Sequence, residues 1–127
     1  MNAVDTILIP ERGTSYDSHL WILISDPAQG EECVIVNFTS WRADKDQACV
    51  VEPGEHPYVK HKTCVNFRDA KRCSIAALEM LIASKHLEFQ SPLSPILLAK
   101  IRQGVPASRM NWSCVQLLAD QGLIDLG

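Results

Sequence analysis

Two imidazoles, two ammonium groups, a phenol and a hydroxyl crowd the stretch Gly54-Glu55-His56-Pro57-Tyr58-Val59-Lys60-His61-Lys62-Thr63, beside the turn signal Pro53-Gly54. Segments next to turns are where a scaffold usually holds its ligand-facing groups. These residue types suit cleavage of RNA. That reaction needs a base for the 2′-hydroxyl proton, an acid for the leaving oxygen, and cations for the charge that builds on phosphorus. His56 and His61 are the candidates for proton transfer and Lys60 for the charge. The bland alternative is a solvated loop that happens to carry histidines and lysines.

A second group of interest is Thr39-Ser40, a hydroxyl pair at the end of the apolar run Cys33 to Phe38. Such a pair can hydrogen-bond a phosphate or a base edge, or it can simply end a strand. Trp41, next to Arg42, can stack on a base or fill a core. Zinc is the competing chemistry, because His56, His61, Cys64 and Cys73 lie close in sequence and are ligand types for it. Their spacing fits no structural zinc pattern, and neither HExxH nor CxxC occurs. No GxSxG elbow and no glycine-rich phosphate loop is present either. No metal and no cofactor is therefore expected.

Charge narrows the partner. A net charge of −3 argues against a protein that coats nucleic acid over its whole surface. Between Glu55 and Cys73, however, Lys60, Lys62, Arg68, Lys71 and Arg72 face only Glu55 and Asp69 in sequence. A polyanion would meet the chain there.

The elements that must position these groups read as strands first and helices later. Ile7-Leu8-Ile9 before Pro10 suggests an edge strand. Leu20 to Ile24 and Cys33 to Phe38 are continuous apolar runs joined by a polar loop, an antiparallel pair with both faces covered. Ala48 to Val51 is a short strand before Pro53-Gly54, and Tyr58 to Phe67 supplies an irregular strand with a basic turn. Ser74 can cap a helix reaching about Ser84. Leu87 and Phe89 alternate like a strand. Ser91-Pro92 is expected to open a second helix stopped by Gly104, and Ser108 or Asn111 a third, closed by Gly122.

With 127 residues, 46% hydrophobic and 21% charged, the chain has the size and composition of one globular domain. The expected fold class is α+β over residues 1–127, with a barrel-like antiparallel sheet over about 5–70 and helices over about 74–122. Five cysteines, an odd number without tight pairing motifs, are expected to be buried and reduced. No apolar run approaches the roughly 20 residues that span a bilayer, and the start Met1-Asn2-Ala3-Val4-Asp5 lacks a basic, then apolar, leader. The expectation is a cytoplasmic protein with no membrane contact.

The pair Leu20-Trp21-Ile22-Leu23-Ile24-Ser25-Asp26-Pro27 and Val34-Ile35-Val36-Asn37-Phe38-Thr39-Ser40 resembles the strand pair of MazF/PemK-type toxins, whose second strand ends in Thr-Ser or Thr-Thr. The likeness spans about residues 19 to 70. It implies a small SH3-like β-barrel with a dimer interface, endoribonuclease activity on single-stranded RNA, and a cognate antitoxin protein as partner. Thr39 matches the family's hydroxyl position. For the family's arginine, ahead of the first strand of the pair, the chain offers His19 or, further back, Arg12; the Gly-Glu-Ile-Trp opening is absent. The expected site is thus Thr39, His56 and His61 at the scissile phosphate, with His19, Lys60, Lys62, Arg68 and Arg72 on the RNA backbone. A noncatalytic barrel that binds RNA or a protein is the alternative.

Overall fold

The computed structural model describes residues 1, 5–10 and 18–126; Arg12 lies outside them. Among the described residues, six strands form one sheet: β1 (Thr6–Pro10), β2 (Ser18–Leu23), β3 (Glu32–Ser40), β4 (Val50–Val51), β5 (Thr63–Ser74) and β6 (Glu88–Gln90). Their order is β4-β5-β3-β2-β1-β6, and every pairing is antiparallel. Among the described residues, three α-helices follow or interrupt the later strands: α1 (Ile75–Ala83), α2 (Pro95–Gly104) and α3 (Trp112–Asp120). The chain is an α+β fold. Among the described residues, no helix is long and apolar enough to cross a membrane.

The continuous apolarity of β2 and β3 has a direct explanation, because side chains alternate across a strand and both faces of the sheet are covered. Leu20, Ile22, Val34, Val36 and Phe38 pack with Leu97 and Ile101 of α2 and with Cys114, Val115 and Leu118 of α3. Trp21, Leu23, Cys33 and Ile35 face the other way, toward Ile7, Leu87 and the Ile75 and Leu78 side chains of α1. Helices supply much of the two covers, and the curled sheet and its loops the rest. Each such fully buried aliphatic side chain contributes about 1.5–3 kcal/mol.

The sheet nevertheless curls into a half-barrel. Ser91, just past edge strand β6, offers one carbonyl to two distant side chains: Thr6 Oγ1 donates to it at 2.6 Å, and His56 Nε2 lies 2.7 Å away. His56 sits in the loop that leaves the opposite edge strand, β4. The two ends of the strand order are thereby brought within one hydrogen bond of each other.

Helix starts follow their caps. Ser74, Ser94 and Asn111 accept, through their side chains, the backbone N–H groups of Ala77, Leu97 and Cys114. The second helix thus begins at Pro95 rather than at Ser91-Pro92. Pro95 and not Pro92 stands at its first turn, Ser94 and not Ser91 is the capping hydroxyl, and Leu93 is buried ahead of it. The strand expected to end near Phe67 instead runs to Ser74, because Lys71, Arg72 and Cys73 resume pairing with Ile35, Val34 and Cys33.

That continuation contains a bulge. The two-residue step from Ile35 to Asn37 on β3 is matched on β5 by the five-residue step from Lys71 back to Asn66. The extra residues leave the ladder between two regular stretches of pairing, with Phe67 and Ala70 buried and Arg68 and Asp69 exposed.

Candidate functional site

Two hollows adjoin at the end of β3, sharing Thr39 and Lys45. The first encloses about 250 Å³ and is lined by His19 from β2, Phe38, Thr39 and Ser40 from β3, Lys45 from the following loop, Tyr58, Lys60 and His61 from the loop after β4, and Thr63 from β5. Among the described residues, its walls carry two ammonium groups, two imidazoles and four hydroxyls. Antiparallel pairing explains the convergence, since β3 stands between β2 and β5 and ends where the loop from β4 returns.

The polar contacts inside this hollow are short. Lys45 Nζ donates to Thr39 Oγ1 at 2.6 Å and to the Ser40 carbonyl at 3.0 Å. His61 Nε2 and Ser40 Oγ are 2.9 Å apart. His19 Nδ1 lies 3.4 Å from the Phe38 carbonyl. A positive, hydroxyl-rich concavity of this kind can hold a phosphate, and its imidazoles can move protons beside it.

The structure therefore brings together Thr39, His61, His19 and Lys60 from the expected set. His56 stands apart. It is 3% exposed, its Nε2 donates to the Ser91 carbonyl, and its Nδ1 accepts the Tyr58 N–H at 3.1 Å. With both ring nitrogens engaged and the ring edge-on to Phe38, its geometry is that of a neutral, fully bonded core histidine. The convergence expected of Thr39, His56 and His61 is thus one of Thr39 and His61.

The other basic residues divide. Arg68 lines the second hollow. Lys62 places its ammonium 4.3 Å from the centre of the Trp41 ring, whose face is thereby covered. Arg72 lies at the far end of β5, where it pairs with Glu32 at 3.1 Å and donates to the Ser113 carbonyl at 3.2 Å. It holds β3, β5 and α3 together and is outside the cleft. The zinc alternative finds no cluster: among the described residues, no three His, Cys, Asp or Glu side chains gather as a metal site would require.

The second hollow, about 330 Å³, is lined by Thr39, Asp44, Lys45, Asp46, Asn66, Arg68, Asp69 and Arg109. Sequence reasoning did not single out Lys45, Asn66 or Arg109. Lys45 lies in a polar loop with no motif around it, and only its position five residues after Ser40 hints that it can fold back on the strand end. Arg109 arrives from the segment between α2 and α3, whose backbone is tied to the site by Asp46: its Oδ2 accepts the Arg109 N–H at 2.8 Å.

Comparison of the chain with protein-family models, with curated proteins and with solved structures found no match.

Proposed function

We propose that the chain is a toxin-like endoribonuclease that cuts single-stranded RNA at the hollow shared by His19, Thr39, Lys45 and His61. One observation carries this reading: Thr39, Ser40, Lys45, Lys60, His19 and His61 line a single small concavity with cations and hydroxyls on every side. The scissile phosphate sits among Thr39, Lys45 and Lys60, whose donors stabilise the charge that grows on its oxygens. His61, held by Ser40, takes the proton of the 2′-hydroxyl. The freed oxygen attacks phosphorus, the bond to the 5′-oxygen breaks, and that oxygen takes a proton from His19. The products are a 2′,3′-cyclic phosphate and a 5′-hydroxyl. His56 has no part in this chemistry.

The curled antiparallel sheet supports the SH3-like barrel that the MazF/PemK resemblance implies, in a form left open along one seam and backed by helices. A toxin-like role carries with it a cognate antitoxin and a homodimer as partners. The chain's acidic balance limits RNA contact to the basic cleft, so affinity should fall with salt by only the few phosphates held there.

Purified protein incubated with end-labelled single-stranded RNA should yield fragments ending in cyclic phosphate. His61→Ala should slow cutting by about 100-fold or more, while His56→Ala, which removes no group from the hollow, should slow it far less. Salt-sensitive binding without fragments would favour the noncatalytic RNA-binding reading. Cutting unaffected by His61→Ala would reject the roles assigned here.

A further inference from the structure

We infer that the second hollow, walled by the β5 bulge, is a nucleobase subsite that selects guanine beside the bound phosphate; this rests on the ribonuclease reading of the adjoining hollow. The bulge lifts Arg68 and Asp69 out of the ladder opposite Val36, and they line the same hollow as Thr39 and Lys45, which both hollows share. It is held rigidly. Phe67 beneath it is fully buried, the Ala70 carbonyl accepts from Asn111 Nδ2 at 3.0 Å, and Asn66 Nδ2 donates to Asp69 Oδ2 at 2.9 Å.

The polar groups of this hollow separate into those already committed and those left to a ligand. Asp46 accepts the Ala48 N–H with one oxygen and the Arg109 N–H with the other. Asp44 is paired with Arg42 at 3.3 Å. Among the described residues, the guanidinium groups of Arg68 and Arg109 make no hydrogen bond or ion pair, and Asp69 Oδ1 has no donor. What remains in the lining is two guanidinium groups and a carboxylate with one oxygen unoccupied.

That pattern selects among bases. Guanine presents two acceptors, O6 and N7, to a guanidinium fork and two adjacent donors, N1–H and the N2 amino group, to a carboxylate. Adenine N1 and cytosine N3 would turn a lone pair toward the carboxylate instead. Uracil offers a single N–H between two carbonyls. Only guanine satisfies both kinds of group at once.

The test is an amide NMR titration of the full chain with each of the four nucleoside 3′-monophosphates and with inorganic phosphate. All five should shift Thr39, Ser40, Lys45 and His61. Guanosine monophosphate alone should also shift Asn66, Arg68 and Asp69, and should bind about tenfold tighter or more. Asp69→Ala and Arg68→Gln, both at exposed positions, should abolish that preference and leave the phosphate shifts intact. Equal affinity for all four nucleotides, with phosphate shifts present, overturns the guanine assignment alone. No shift with any of the five ligands overturns it together with the ribonuclease reading.

Discussion

Lys45 gives the Thr39 hydroxyl its direction. Because the ammonium donates to Thr39 Oγ1, the hydroxyl proton is turned away from it and is available to an anion in the shared hollow. At the same scale, the cysteines carry a measurable consequence. Burial raises the thiol of Cys33 to about 12 and that of Cys49 to about 11, with the neighbouring Cys73 adding to the former. In the unfolded chain such thiols ionise from about pH 8.5. Above that pH the unfolded chain holds fewer protons than the folded one, so stability is complete below it and falls as pH rises toward the folded values. Urea midpoints in reducing buffer should drop between about pH 8 and about pH 10.5, and a Cys33→Ala/Cys49→Ala chain should drop less. The burial of these thiols was legible in apolar neighbours such as Val34 and Ile35. The immobilisation of His56 was not, because its acceptor, Ser91, lies 35 residues away in sequence.

Among the elements, α2 and β5 are joined at one glycine. A Cβ on Gly104 would stand 2.9 Å from the Ala48 carbonyl oxygen and 3.2 Å from Phe67 Cζ. Alanine is favoured over glycine in a helix by about 1 kcal/mol, yet overpacking of a rigid contact costs about 1–3 kcal/mol. The second effect should win, since the closest atom is backbone. Gly104→Ala should lower the unfolding free energy by up to about 2 kcal/mol, and by displacing Phe67 it should shift the amides of Arg68 and Asp69. The elements themselves were readable where local rules decide them: Ser74 and Asn111 cap helices, and Leu87 with Phe89 marks a strand. The bulge was not readable. Arg68-Asp69 looks like any polar pair at the end of a strand, and only the resumed pairing of Lys71 to Ser74 with β3 shows that the strand continues past it.

At the scale of the whole molecule, the apolar runs of β2 and β3 announced two covered faces but not what covers them. Periodicity reports that a side chain is buried and is silent on whether a helix or a returning strand lies opposite. The charged ends of the sheet were equally ambiguous: Arg68 reaches the cleft while Arg72, four residues on, braces Glu32 and Ser113. The curl depends on the His56 to Ser91 contact, so His56→Ala should accelerate hydrogen exchange at Tyr58 and at β6 together, while the centre of β3 keeps its protection. One peptide oxygen thus serves side chains 85 and 35 positions upstream. During synthesis Thr6 and His56 emerge long before it, and neither can settle until Ser91 has cleared the ribosome. The first strand and the histidine loop are therefore fastened by a residue synthesised well after both of them.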